Sequence, residues 1–256
     1  MEALSLSLVA IGGVPLVKPG DDLPAIITQS LCANDLELEH HDVLVIAQKI
    51  VSKAEGRIVN LDEVTPGAEA SKLAVEVEKD PRIVELILGE SRRVVRHKPG
   101  VLIVEHNSGI VMANAGIDHS NVQEPGQGEY VTLLPSDANK SAKALHQAIE
   151  AATGRSIGII INDSVGRAWR NGTVGIAIGC SGITPLNDLR GEKDLFGTVL
   201  RVSETADADA LASAACLLMG EAAEASPLVL ARGYRVVNSE HDTSVLVRDA
   251  ESDMFR

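Results

Sequence analysis

Two five-residue runs, Val43-Leu44-Val45-Ile46-Ala47 and Ile157-Gly158-Ile159-Ile160-Ile161, do most to restrict the fold of this chain. A half-exposed strand alternates apolar with polar residues, and a surface helix keeps one polar stripe. A run this short with no polar position suits a strand covered on both faces. The covering material cannot be aromatic, because the chain has only two Phe, two Tyr and one Trp. It must be Val, Ile, Leu and Ala, and with 45% apolar residues in 256 there is enough of it for a substantial core.

Other segments supply both helices and strands. Leu4, Leu6 and Leu8 alternate with Ser5 and Ser7 and lead to Ile11, a half-buried strand that Gly12-Gly13 and Pro19-Gly20-Asp21-Asp22 interrupt. After residue 47, residues 48–57 read as a polar, lysine-bearing connection. Residues 69–77 and 81–90 read as helices. Residues 100–104 and 109–113 flank His106-Asn107-Ser108-Gly109 as a hairpin, with loop expected over 114–127. Ser136 or Asp137 caps a helix whose apolar residues are Ala138, Ala142, Leu145, Ile149 and Ala152, stopped by Gly154. A second amphipathic helix spans 206–219, with Asp207 and Asp209 at the positive end of its dipole and Gly220 at its end. Short strands are expected at 228–230 and 245–247. The alternation defines an α+β class, mixed sheets with packed helices. We expect a single unit over residues 1–256, or two intimate subdomains within it.

Charge and composition exclude several functions. With 23 Lys and Arg against 36 Asp and Glu, the formal charge is −13 at pH 7, which repels nucleic acid and anionic membranes. Apolar runs such as 157–161 and 214–219 fall far short of the roughly 20 residues of a membrane-spanning helix. Residues 1–13 lack the basic start of a signal peptide, so a cytoplasmic location is expected. Cys32, Cys180 and Cys216 are odd in number and widely spaced, which fits reduced thiols and not a disulfide framework or zinc knuckle.

Three groups of residues carry chemistry. Asp118, in Asn114-Ala115-Gly116-Ile117-Asp118, and Asp163, at the end of the second apolar run, have hydroxyls nearby at Ser120 and Ser164. Such carboxylates can hold a hard, phosphate-bound cation, or they can be turn residues. Residues 166–179 combine five glycines' worth of backbone freedom across the wider 166–182 stretch with Arg167 and Arg170. This suits either an acidic ligand or a structural turn. Their spacing matches neither a P-loop nor a Rossmann fingerprint. Lys49, Lys53 and Arg57 would share one helix face, as a solvated stripe or as a seat for a polyanion. The basic run Arg92, Arg93, Arg96, His97 and Lys98 stays unassigned. The histidines lack metal-binding spacing, with His40-His41 expected at the surface. Ser164 is not in a G-x-S-x-G elbow, so a serine hydrolase is not indicated.

These residues resemble those of the coenzyme F420-0:L-glutamate ligases, also called gamma-glutamyl ligases. The likeness runs in order through Val14-Pro15-Leu16-Val17 with Gly20-Asp21-Asp22-Leu23, Ser52-Lys53-Ala54-Glu55-Gly56-Arg57, residues 114–121, residues 163–182, Lys193-Asp194-Leu195-Phe196-Gly197 and Leu217-Leu218-Met219-Gly220-Glu221.

The resemblance implies a ligase that uses GTP and Mg2+ or Mn2+ to activate a carboxylate of F420-0 as an acyl phosphate, which the amine of L-glutamate attacks. It implies a metal site of Asp118, Asp163, Ser164 and Glu221. It implies nucleotide contacts from Val14, Pro15, Leu16, Val17, Gln48, Lys49, Lys53, Asn121, Met219, Gly220, Glu221, Ala222, Ala223, Glu224, Ala225 and Ser226, and a homodimer. Arg167 and Arg170 are candidates for the acidic substrate. Ser164 stands where threonine or an acid is expected, and Ala222-Ala223 where glycine is. A fused flavin-type reductase domain is not expected. The resemblance leaves open the divalent metal, a requirement for K+, the number of glutamates added and any catalytic base. An amide ligase for another acidic acceptor and a non-catalytic nucleotide- and metal-binding module remain as alternatives. All of it requires Asp118 and Asp163 to meet in space.

Overall fold

The computed structural model describes residues 4–120, 122, 128–234 and 239–254. In chain order, β1 (Ser7–Ala10) is followed by α1 (Leu23–Ala33), which the sequence reading missed. Its start is nonetheless marked by the Asp22 side chain, which accepts from the Ala25 N–H, and by proline in the first turn. The first apolar run is β2 (Val43–Ala47), and it turns directly into α2 (Gln48–Ala54). Residues 48–54 are thus helical and not a connection, because Ile50, Val51 and Ser52 bury one face while the lysines stay on the other.

Next come β3 (Ile58–Asn60), α3 (Ala68–Val77), α4 (Pro81–Gly89), β4 (Ser91–Lys98), β5 (Val101–His106), β6 (Val111–Ala113) and β7 (Tyr130–Thr132). The basic run of residues 92–98 lies on β4, an edge strand of the β4-β5-β6 sheet whose pairing with β5 is interrupted by two register shifts. Charge and irregularity of this kind protect a sheet edge from pairing with another chain. The remaining elements are α5 (Ala138–Thr153), β8 (Gly158–Gly166), β9 (Thr173–Ser181), the two-residue strands β10 (Asn187–Asp188) and β11 (Glu204–Thr205), α6 (Asp207–Met219) and β12 (Leu228–Arg232). Of the two expected caps of α5, Asp137 serves. Residues 245–247 are not a strand. Residues 243–246 form a 3-10 turn, started by the Asp242 carboxylate accepting from the Ser244 N–H.

The two apolar runs are neighbours. The main sheet has the order β1-β12-β2-β8-β9, and β2 and β8 pair in parallel, with Ala47 opposite Asn162. Alternation divides their side chains between two layers. Leu44, Ile46, Ile159 and Ile161 pack on one face with residues of α1 and α5, while Val43, Val45 and Ile160 pack on the other with Ala208, Leu211, Ala212 and Ala215 of α6. A third apolar cluster joins α3 and α4 to β5 and β7.

The glycine-rich stretch proves to be mostly β9. Two of its glycines serve packing: a Cβ at Gly175 would lie 2.4 Å from the Ala212 carbonyl oxygen, and one at Gly179 would lie 2.3 Å from that of Ala138. Helices α6 and α5 therefore rest directly on the strand backbone, from opposite faces. The register shift opposite Ile161 and Asn162 turns the strand between these two positions.

Candidate functional site at one edge of the main sheet

Strand direction gathers the candidate residues. Antiparallel β1–β12 and β12–β2 pairing, parallel β2–β8 pairing and the β8–β9 hairpin put the ends of β1, β2 and β8 on one edge of the sheet, with the starts of β12 and β9. Residues 14–17 leave β1 there, α2 begins there, Asp163 and Ser164 follow Asn162 there, and residues 219–226 lead into β12 there. Strand ends in an open sheet are where loops can converge on a ligand.

Asp118 reaches this edge from the other sheets. Asn114, Ala115 and Gly116 all have positive φ, near 53°, 53° and 70°. A left-handed turn of this kind is costly for residues with a Cβ, and at Gly116 a Cβ would meet Leu134 at 2.7 Å. The turn delivers Asp118 to a bridge with Thr132 of β7, Asp118 N to Thr132 O at 3.1 Å and Thr132 N to Asp118 O at 2.9 Å. The Asn-Ala-Gly-Ile-Asp motif thus has a backbone reason as well as a chemical one.

Lys49, in the first turn of α2, closes on Asp118. Its Nζ lies 2.8 Å from Asp118 Oδ2 and donates to Ser120 Oγ at 2.7 Å and Ser120 O at 3.0 Å. Ser120 in turn donates its N–H to Asp118 Oδ1 at 2.7 Å and its hydroxyl to Oδ2 at 2.9 Å. Burial pushes the Asp118 carboxyl up, but Lys49 and Ser120 outweigh it and hold the group below the usual carboxylate range. Asp163 behaves oppositely. Burial, reinforced by the charges of Asp118 and Glu221, pushes it up to about 7 against the opposing Ser164 N–H and Lys49. The charge of Asp118 is thus one of the lesser causes that raise the Asp163 carboxyl, after burial.

Ser164 Oγ donates to Glu221 Oε2 at 2.9 Å, which brings the third expected acid to the same strand. Among the described residues, no three His, Cys, Asp or Glu side chains are close enough to hold a cation by themselves. The donor set fits a divalent ion that draws its remaining ligands from phosphate and water, as Mg2+ commonly does. Mutual repulsion among carboxylates around Asp163 is what such a charge would relieve.

The remaining residues take varied positions. Gln48 is buried and accepts from Ser52 Oγ at 2.8 Å, so its side chain braces α2. Burial, then the charge of Lys49, lowers the Lys53 ammonium. Val17 belongs to the core and Val14 packs against it, while Leu16 is exposed. Met219 is buried, Gly220 ends α6, and Glu221 to Ala225 are exposed, with Ala222 N donating to Glu224 Oε2 at 2.8 Å. Arg167 and Arg170 are exposed in the turn joining β8 to β9 and make no ion pair with the described residues. Asn121 lies outside the described residues.

Asn162 escaped the sequence reading. Buried in β8 just before Asp163, it donates Nδ2 to Cys216 Sγ at 3.1 Å and Met219 Sδ at 3.6 Å, tying β8 to the end of α6. The only signal was a polar residue ending an apolar run. The three cysteines are free, Cys180 being buried and Cys32 exposed.

A mixed sheet edge that carries the half-buried carboxylates of Asp118 and Asp163, the exposed Glu221 and two lysines defines a class of site suited to binding a metal-neutralised polyanion. Residues 13–233 match the F420-0:Gamma-glutamyl ligase family. The chain is 42% identical over 255 residues to the coenzyme F420:L-glutamate ligase of Methanothermobacter thermautotrophicus, an alignment covering 99% of this chain and 100% of that one. It is 43% identical over 258 residues to the ligase of the same name from Methanopyrus kandleri, covering 98% and 99%. The one from Methanocaldococcus jannaschii is 41% identical over 243 residues, covering 95% and 94%. This chain belongs to the F420-0:gamma-glutamyl ligase family.

Proposed function

We propose that the protein joins L-glutamate to coenzyme F420-0 as an amide at the expense of GTP. A carboxylate oxygen of F420-0 attacks the γ-phosphorus, the bond to the β-phosphate breaks, and GDP leaves. The glutamate amine then attacks the acyl carbon of the resulting acyl phosphate, losing a proton as inorganic phosphate departs. The observation that supports this reading is the ion pair of Lys49 with Asp118 at 2.8 Å, with the hydrogen bond from Ser164, next to Asp163 on β8, to Glu221 at 2.9 Å.

In this assignment Asp118, Asp163, Ser164 and Glu221 hold Mg2+ or Mn2+, which would neutralise phosphate charge during transfer. Lys49 and Lys53 supply positive charge for the nucleotide, flanked by residues 14–17 and 219–226. Arg167 and Arg170 can clamp a substrate carboxylate in forked geometry. The protein acts as a homodimer in the cytoplasm. Among the described residues no helix is long and apolar enough to cross a membrane.

The test is incubation with F420-0, L-glutamate, GTP and Mn2+ followed by mass spectrometry. A product heavier by one or more glutamyl residues, with equal GDP, supports the reading. Asp118→Asn and Asp163→Asn should each lower the rate by at least ~100-fold, as expected for loss of charge-neutralising ligands. GDP release with a different acidic acceptor would reassign the substrate. GTP binding without any turnover would make the protein a binding module.

A further inference from the structure

The ammonium of Lys49 is fully committed to the acidic side of the site. Its three hydrogens face Asp118 Oδ2, Ser120 Oγ and Ser120 O at 2.7–3.0 Å. Both carboxylate oxygens of Asp118 are in use, Oδ1 by the Ser120 N–H and Oδ2 by Lys49 and the Ser120 hydroxyl. A divalent ion on Asp118 would stand beside an ammonium already at hydrogen-bond distance, and like charges so close, partly shielded from water, repel strongly. The two cations compete for one carboxylate. Nor do the described acids offer a three-ligand seat that could hold an ion without help.

We propose that Lys49 is a lock on the cation site: it keeps Asp118 from a divalent ion until a phosphate chain draws the ammonium away, so that ion and triphosphate load together. This rests on the metal and nucleotide reading above and specifies its order. The exchange is balanced in charge. Lys49 trades a carboxylate for a phosphate, and Asp118 trades an ammonium for the divalent ion.

Mn2+ alone is the probe, followed by the electron paramagnetic resonance signal of the free ion at fixed pH and salt. Lys49→Met and Lys49→Gln should each bind Mn2+ about tenfold or more tightly than the parent without nucleotide, a gain of about 1.4 kcal/mol. Lys53→Met removes an equal charge one turn further along α2 and should gain less than about threefold, since it leaves the lock in place. Adding Asp118→Asn to Lys49→Met should cancel the gain. Equal gains from Lys49→Met and Lys53→Met would reduce the effect to general field strength and overturn the lock. The underlying reading fails differently: GTP would then add no Mn2+ binding to the parent protein beyond that of GTP itself. If GTP does recruit Mn2+ to the protein but Lys49→Met gains nothing, the lock alone is refuted.

Discussion

At the scale of single residues, Asp163 is the most informative group. Its carboxyl titrates near 7 in the folded protein, mainly because burial disfavours the charge, against about 3.9 in an unfolded chain. Between those values the native state holds a proton that the unfolded state has released. The contribution of Asp163 to the stability of the metal-free protein therefore falls as pH rises from about 4 to 7 and levels off above, at about 1.4 kcal/mol per unit of pKa difference. Asparagine carries no charge to desolvate. Asp163→Asn should match the parent at pH 4 and exceed it at pH 8, measured by urea unfolding in the presence of a chelator. Because every other titrating group is common to both proteins, the difference isolates Asp163. Identical pH dependence in the two would show that Asp163 ionises freely.

Among elements, the β8–β9 hairpin links the site to the core. Gly175→Ala places a methyl against the Ala212 carbonyl and against Asn162 Oδ1, which a Cβ would meet at 2.6 Å. Backbone on one side cannot move as a flexible side chain would, so the expected loss is at least ~2 kcal/mol. Gly172→Ala, in the turn where a Cβ meets nothing within 4 Å, separates this packing cost from a general intolerance of substitution, although its positive φ carries a smaller strain. A urea-unfolding midpoint as low for Gly172→Ala as for Gly175→Ala would refute the packing argument. The helices at residues 68–77, 81–89, 138–153 and 207–219 were legible because caps and periodicity are local signals. Helix α2 was not, since a seven-residue helix has too few turns to show a period. The parallel pairing of β2 with β8 joins residues more than 100 apart, and no local pattern encodes it. Asp118 and Asp163 were legible as carboxylates with hydroxyls nearby and Glu221 only through family resemblance, and neither signal could say that Lys49 would hold Asp118. Asn162 was invisible for the same reason as the pairing: its sulfur partners lie on a helix that only the fold brings near.

For the whole molecule, charge and surface composition set the terms of association. A formal charge of −13 makes copies repel at low salt, so any homodimer must be held by apolar contact. The segment carrying β10 and β11 displays such a surface: Leu195 and Phe196 are 99% and 94% exposed, and Val202 is 85% exposed. Contiguous apolar side chains exposed on one segment mark a surface for association. Sedimentation velocity should therefore give about twice the 27.0 kDa chain mass at 0.3 M salt, with dissociation favoured as salt is withdrawn. Leu195→Asp with Phe196→Asp should move the protein to the monomer mass while leaving its unfolding midpoint nearly unchanged, because neither side chain contributes to the core. Retention of the dimer mass in that variant would place the interface elsewhere. If the monomeric variant also loses Mn2+ and GTP binding, the sheet-edge site depends on the second copy as well as on its own carboxylates.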